Sequence, residues 1–439
     1  MKSTTATKLD LITKRSKNNP QEKFTSLAHL LNEEYLRECY QELKKGKAPG
    51  IDNKTQENYT EKEIKEEIHQ IVEQLKKNQY RPKPTKRVFI PKANGERPLG
   101  IPCIKDKIVQ QAIKKILEAI YEPHFLDNSY GFRPNRNCHQ ALKAGYKMIM
   151  TNPINWVIDI DVKGFFDNVE HKWIIESLNQ RIEHKRFKSL IIKFLKAGIM
   201  EEGKFKTTEK GTPQGGILSP VLANIYLHYV IDLWFERKEK KKINGYTEII
   251  RYADDFIIGV QKKEQADKIV KDIKTRLKKF GLELSEEKTR VVEFGKYAQH
   301  NSKNRGKRKP ETFDFLGMTF YCSKSRKGNF LVKLKTSSKK KRKHKKDLNN
   351  WLKKIRNQVK AEEIWKILAA KLRGHFNYYG ISSNSREIQN YYYTTICLTK
   401  KWLNRRSQKK SFNWETFSEY LIRYPLPKPH LVHNLYDIW

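Results

Sequence analysis

The chain has 439 residues, enough for about three domains that each bury a core, and its formal net charge is +41, from 90 Lys and Arg against 49 Asp and Glu. An excess that large repels itself in a compact fold and demands a polyanionic partner, for which nucleic acid is the default. The competing partner is an anionic membrane surface; against it, no long apolar span is present and Met1-Lys2-Ser3-Thr4-Thr5 lacks the apolar centre of a signal peptide, so a soluble, intracellular protein is expected.

Five cysteines, Cys39, Cys103, Cys138, Cys322 and Cys397, are scattered and never spaced as Cys-x-x-Cys, which argues against a disulfide framework and a zinc site. Leu30, Leu31, Tyr35, Cys39, Tyr40 and Leu43 fall at helical spacing, and Lys45-Gly46-Lys47-Ala48-Pro49-Gly50 ends that helix. Ile64, Ile68, Ile71, Val72 and Leu75 predict a second amphipathic helix. Past Pro82 and Pro84 the pattern turns to strands, residues 86–90 and 97–101 about a turn at Asn94-Gly95. Arg87, Lys92 and Arg97 on this hairpin suit gripping phosphates, although Lys and Arg also commonly blunt a solvated sheet edge.

Ile108, Val109, Ala112, Ile113, Ile116, Leu117 and Ile120 form an apolar helix face and read as core. In Ser129-Tyr130-Gly131-Phe132-Arg133-Pro134-Asn135-Arg136, Arg133 and Arg136 share a loop with aromatic neighbours, a mixture suited to backbone contacts and base stacking. Trp156-Val157-Ile158-Asp159-Ile160-Asp161-Val162 is a buried-strand pattern interrupted by acids, which is expensive unless they have partners. Period two puts Asp159 and Asp161 on one face. Pro213-Gln214-Gly215-Gly216 stands before an apolar helix, Val221 to Leu233, where the glycines let a ligand approach the backbone.

The runs flanking Tyr252-Ala253-Asp254-Asp255 predict a hairpin with two carboxylates at its tip. Adjacent carboxylates repel unless a cation lies between them, so one acid from the earlier strand would complete a site for two divalent ions. A helix with Ala266, Ile269, Val270, Ile273 and Leu277 inward follows, then strands at 281–285 and 289–292, a polar loop from Lys296 to Pro310 and a short hairpin at 313–318. From Lys335 the pattern becomes helical and basic. Lys339 to Lys346 is an unbroken run of Lys, Arg and His near tyrosines and tryptophans, read as part of a nucleic-acid-binding region.

In this order the stretches resemble the reverse transcriptase/maturase proteins encoded by group II introns, over nearly the whole chain. Gly46 to Asp52 looks like the template-covering loop, Val88 to Pro102 the fingers hairpin, and Ser129 to Arg136 the second conserved block. Asp161 to Asp167, Pro213-Gln214-Gly215, Tyr252 to Asp255 and Leu282 to Lys288 resemble motifs A to D. Phe315-Leu316-Gly317 is similar to the primer grip, and Arg373 to Tyr379 to the thumb, or maturase, domain.

The resemblance implies an α+β right-hand polymerase fold. Its divisions would be an N-terminal extension (1–80), fingers (81–157), an antiparallel-sheet palm (158–335) and a helical thumb (336–439). It implies RNA-directed DNA polymerisation from dNTPs on an RNA template and DNA primer, with binding of the intron RNA to promote splicing. Carried over, Asp161, Asp254 and Asp255 hold two Mg²⁺ ions, which Mn²⁺ can replace, with the backbone of Val162 facing a metal. Lys92 and Arg97 neutralise the triphosphate, Phe166 excludes a ribose 2′ hydroxyl, Gln214 supports the nucleotide and Lys288 protonates pyrophosphate. Arg87, Arg133, Arg136, Gly215, Tyr252, Lys339, Lys340, Lys341, Arg342 and Arg373 contact nucleic acid. The chain ends at Trp439, without the His-Asn-His endonuclease domain of some relatives, which predicts priming from existing DNA ends. A bacterial cytoplasmic location, associated with nucleoid or RNA, is expected. The alternative is a repurposed reverse transcriptase no longer tied to an intron, for example in host defence.

Overall fold

The computed structural model describes residues 4–91, 95–212, 215–406, 408 and 411–437. Among the described residues three α-helices, α1 (Thr4–Asn18), α2 (Glu33–Gln41) and α3 (Glu61–Lys76), precede the first sheet. The third begins at a capping box in which Thr60 and Glu63 satisfy each other's backbone amides, and it buries Ile64, Ile68, Ile71 and Val72. The hairpin of β1 (Thr85–Pro91) and β2 (Glu96–Ile101) then leads into α4 (Ile104–Tyr121). Helix α5 (Cys138–Thr151) delivers the chain to β3 (Trp156–Asp161).

After β3 come α6 (Phe165–Asn168), α7 (His171–Asn179), α8 (Lys185–Leu195), and the short strands β4 (Ile199–Glu201) and β5 (Lys204–Lys206). These two strands extend the first sheet in the order β2-β1-β4-β5, with β4 parallel to β1. Helix α9 (Ser219–Leu227) passes into a π-helical turn, His228–Asp232, within the span Val221 to Leu233 that the sequence predicts as one apolar helix. The hairpin β6 (Thr247–Tyr252) and β7 (Asp255–Val260) follows, then α10 (Lys263–Lys279) and β8 (Arg290–Glu293).

Two expectations need correction here. Residues 281–285 do not form a strand; only Leu284 bridges, to Val162. Within the expected loop from Lys296 to Pro310 lies α11 (Ala298–Asn304), which buries Ala298 and Ser302. Strands β9 (Phe313–Phe315), β10 (Met318–Lys324) and β11 (Phe330–Thr336) make a three-stranded antiparallel sheet. Among the described residues four α-helices follow: α12 (Ser338–Ile355), α13 (Ala361–Tyr379), α14 (Ser385–Leu403) and α15 (Trp414–Arg423). Among the described residues no helix is long and apolar enough to cross a membrane.

The antiparallel sheet β6-β7-β3-β8 separates two cores. Alternation along β3 and β7 sends Ile158, Ile160, Phe256, Ile258 and Val260 into the core shared with α2, α4, α8, α9 and α10. Val157, Ile250 and Ile257 face the second core, built with α5, the three-stranded sheet and helices α12 to α14. Each such aliphatic or aromatic side chain, fully buried, contributes about 1.5–3 kcal/mol relative to exposure. Asp159, Asp161 and Asp255 share the parity of Val157 and Ile257, so burial of the alternate residues fixes the acids on the second face.

Candidate active site

Strands β3 and β7 are antiparallel, with Asp161 directly opposite Asp255. The β6-β7 hairpin closes through Ala253 and Asp254, and Ala253 takes φ +58, the left-handed conformation that makes this turn tight. The three acids expected to act together therefore meet at one end of the sheet. Burial pushes the Asp255 carboxyl up to about 8, helped by the negative charges of Asp159, Asp254 and Asp161. Burial also raises Asp254, against the pull of the Arg97 and Arg251 charges. Asp159 is pushed up to about 7, again mainly by burial.

Among the described residues, no three acidic, histidine or cysteine side chains are already gathered as metal ligands. Asp161 instead meets Lys288, whose Nζ lies 3.1 and 3.2 Å from its two carboxylate oxygens. The chemistry of the donor set nevertheless fits hard divalent cations: oxygen ligands only, with the negative charge of Asp161 among the causes that raise Asp254 and Asp255, a crowding that positive charge relieves. Val162 fits the same picture. Its bridge to Leu284 is closed by the flanking groups, Lys163 N to Glu283 O and Ser285 N to Asp161 O, both 2.9 Å. The carbonyl of Val162 consequently points away from Leu284, towards the side carrying the Asp254 turn.

Around the acids, Phe166 sits in α6 with its carbonyl accepting from Thr212 N at 2.8 Å, while Gly211 N donates to Val169 O at 2.7 Å. The segment 166–169, which follows Asp161 in the chain, and residues 211–212 are thus laced together. Gly215 has φ +108, and a Cβ there would lie 2.8 Å from Gly100 O, so the first sheet rests directly on this glycine. Arg97 is exposed on β2 and lies within electrostatic reach of Asp254. Lys92 and Gln214 lie outside the described residues.

Other expected contacts divide. Lys339, Lys340, Arg342 and Arg373 are exposed on α12 and α13. Lys341 is half-buried and pairs with Glu387 at 3.0 Å. Tyr252 is half-buried beside the site, packed against the second core. Arg136 lies over the Tyr130 ring and pairs with Asp127. Arg87 is half-buried, its Nε 3.8 Å from Glu201, which leaves it less open to phosphate than its strand position suggested.

Arg133 is a correction. Its side chain is 3% exposed, its guanidinium chelates Glu122, and it donates to the carbonyls of Leu126 and Ser129 at 2.6 and 2.7 Å. With those donors turned inward, it ties its own loop together and is not a nucleic-acid contact.

Arg251 and Asp232 escaped sequence reasoning. Both side chains are fully buried and chelate each other beneath the catalytic turn. The signal was present: Asp232 interrupts the apolar run Val230-Ile231-Asp232-Leu233, and Arg251 interrupts one in β6, two lone opposite charges that each require a partner.

A profile of the reverse transcriptase (RNA-dependent DNA polymerase) family matches residues 76–320. The group II intron-encoded protein LtrA of Lactococcus lactis is 34% identical, with 88% of this chain and 75% of that protein covered. The chain belongs to the group II intron reverse transcriptases. A 91 kDa protein in the cob intron of Schizosaccharomyces pombe is 36% identical over 59% of this chain and 33% of its own length. The Escherichia coli protein YkfC is 32% identical over 65% of this chain and 78% of its own. Membership makes the fold a right-hand polymerase, the activity RNA-directed DNA polymerisation together with maturase function, the partners nucleic acids and the chemistry dependent on divalent metal.

Proposed function

We propose that Asp161, Asp254 and Asp255 are the catalytic acids of this group II intron reverse transcriptase, and that they hold two Mg²⁺ ions, replaceable by Mn²⁺, with the Val162 carbonyl as a further ligand. The observation that carries this reading is the register of β3 on β7, which sets Asp161 opposite Asp255 beside the Asp254 turn. When bound, the two ions supply Lewis-acid activation of the primer 3′ hydroxyl and charge neutralisation at the triphosphate and leaving pyrophosphate.

The chain's own residues do the rest. Arg97, with Lys92, draws the triphosphate towards the acids by charge-assisted hydrogen bonds. Phe166 closes the pocket on the sugar and excludes a 2′ hydroxyl, and Gln214 supports the nucleotide. Gly215, lying against the first sheet, gives template and nucleotide room near the backbone. Lys288, already within hydrogen-bond reach of Asp161, delivers a proton to the leaving pyrophosphate. Tyr252 packs near the primer end.

In this reading residues 81–157 act as fingers, 158–335 as palm and 336–439 as thumb. Lys339, Lys340, Arg342 and Arg373 follow the phosphates of an RNA template paired to a DNA primer, and of the intron RNA, in a cytoplasmic setting. Arg136, already stacked on Tyr130, presents its remaining edge to the strand.

The test separates polymerase from maturase. Asp254→Ala should abolish primer extension on an RNA template while intron splicing continues; undiminished cDNA synthesis would overturn the assignment.

A further inference from the structure

Beneath the catalytic turn lies a buried polar assembly that the polymerase reading leaves unused. Arg251 belongs to the face of β6 opposite Tyr252, below the acids. Its Nε donates to Asp232 Oδ1 at 2.7 Å and one terminal nitrogen to Asp232 Oδ2 at 2.5 Å. The other terminal nitrogen reaches the carbonyl of Ala253 at 3.0 Å and Asn224 Oδ1 at 3.2 Å. Asn224 in turn donates from Nδ2 to Gly131 O at 2.6 Å.

The Asn128–Gly131 segment closes the assembly from the side. Arg251 N donates to Asn128 O at 2.8 Å, and Tyr130 N donates to Arg251 O at 2.9 Å. At Gly131 a Cβ would lie 2.4 Å from Ala253 N, so this loop touches the turn backbone itself. Asp232 is the last residue of the π-helical turn His228–Asp232 that continues α9; such turns are frequent at functional sites.

A buried ion pair is by itself weak support for stability, because desolvation offsets most of its attraction. Here the guanidinium has a further use. It clamps the carbonyl of Ala253, the left-handed residue that sets the direction in which Asp254 and Asp255 leave the turn. We propose that Asp232 and Arg251 are positioning residues that hold the Ala253 turn, and with it Asp254 and Asp255, in metal-binding geometry. Asn224 and Gly131 link that turn to the Tyr130–Arg136 loop, so that displacement of the loop weakens metal uptake.

The inference rests on the assignment of Asp254 and Asp255 as ligands, and the experiment distinguishes the two. Mn²⁺ uptake by the full chain on an RNA–DNA primer–template is followed by electron paramagnetic resonance, with RNA affinity and thermal unfolding measured alongside. Asp232→Asn should weaken Mn²⁺ binding by about 10- to 100-fold, the scale expected when a group supporting metal ligands is lost. RNA affinity should stay unchanged. Gly131→Ala, which leaves the ion pair intact and pushes on Ala253 directly, should weaken uptake in the same way and decides the matter if Asp232→Asn fails to fold. A folded Gly131→Ala protein with unaltered Mn²⁺ affinity would overturn the inference, as would a folded Asp232→Asn protein with unaltered affinity. If Asp254→Ala itself leaves uptake unchanged, the ligand assignment fails first.

Discussion

Lys288 Nζ bridges both carboxylate oxygens of Asp161, at 3.1 and 3.2 Å, from the segment that leads into β8. Both side chains are substantially open to solvent, 61% and 42%. An exposed ion pair of this kind is worth only about 0–1 kcal/mol. Lys288 is therefore a weak competitor for the cation that Asp161 is proposed to bind, and it is free to move once that cation arrives.

Lys288→Met should slow the chemical step by about 100-fold, the lower range for loss of a general acid. It should at the same time lower the half-saturating Mg²⁺ concentration, by no more than about fivefold given the small worth of the pair. Single-turnover extension across a Mg²⁺ series separates the two effects. A slower step with weaker Mg²⁺ binding would instead make Lys288 a support for the metal site.

Arg133 and Arg342 give opposite expectations from the same residue type. Arg133 is sealed under its loop on Glu122, and Arg133→Ala should destabilise the fold by about 3–5 kcal/mol, the range for breaking a buried pair. The salt dependence of RNA binding should not change. Arg342 is exposed on α12. Arg342→Ala should leave unfolding unchanged and reduce the slope of log affinity against log salt by about 0.7–0.9, one phosphate contact. Denaturant unfolding and salt titration of both variants check the pair of outcomes.

Asp106 supplies a pH signature remote from the acids of the active site. Burial raises its carboxyl to about 6, although it accepts from Tyr80 Oη at 2.6 Å and Lys83 N at 3.1 Å. The folded protein holds this proton more tightly than the unfolded chain does. Its contribution is full below the unfolded value of about 4 and is lost as pH rises through about 6. Stability from this group should therefore fall between pH 4 and 6, and Asp106→Asn should flatten that part of the profile in chemical unfolding.

The acids and the hairpin were legible because a strand encodes its faces locally: Val157, Ile158, Asp159, Ile160 and Asp161 alternate, and register does the rest. Arg133 misled because a Gly/Pro loop resembles exposed surface, whereas its partner Glu122 sits eleven residues back on the far side of a fold in the chain. Asp232 of the clamp lies at the end of a π-helical turn that helical periodicity does not encode. Helix α11 hid in a basic stretch because only Ala298 and Ser302 face inward, too few for a periodic pattern.

The most direct test of the two-metal site is to locate the metal. The full chain would be crystallised with an RNA–DNA primer–template, a non-hydrolysable dNTP and Mn²⁺, and anomalous scattering recorded at the manganese edge. The account predicts two peaks, each about 2.0–2.2 Å from oxygens drawn from Asp161, Asp254, Asp255 and the Val162 carbonyl, with Lys288 displaced from Asp161. Peaks ligated by Asp159 or Asp167 without Asp161, or none between β3 and the Asp254 turn, would contradict it.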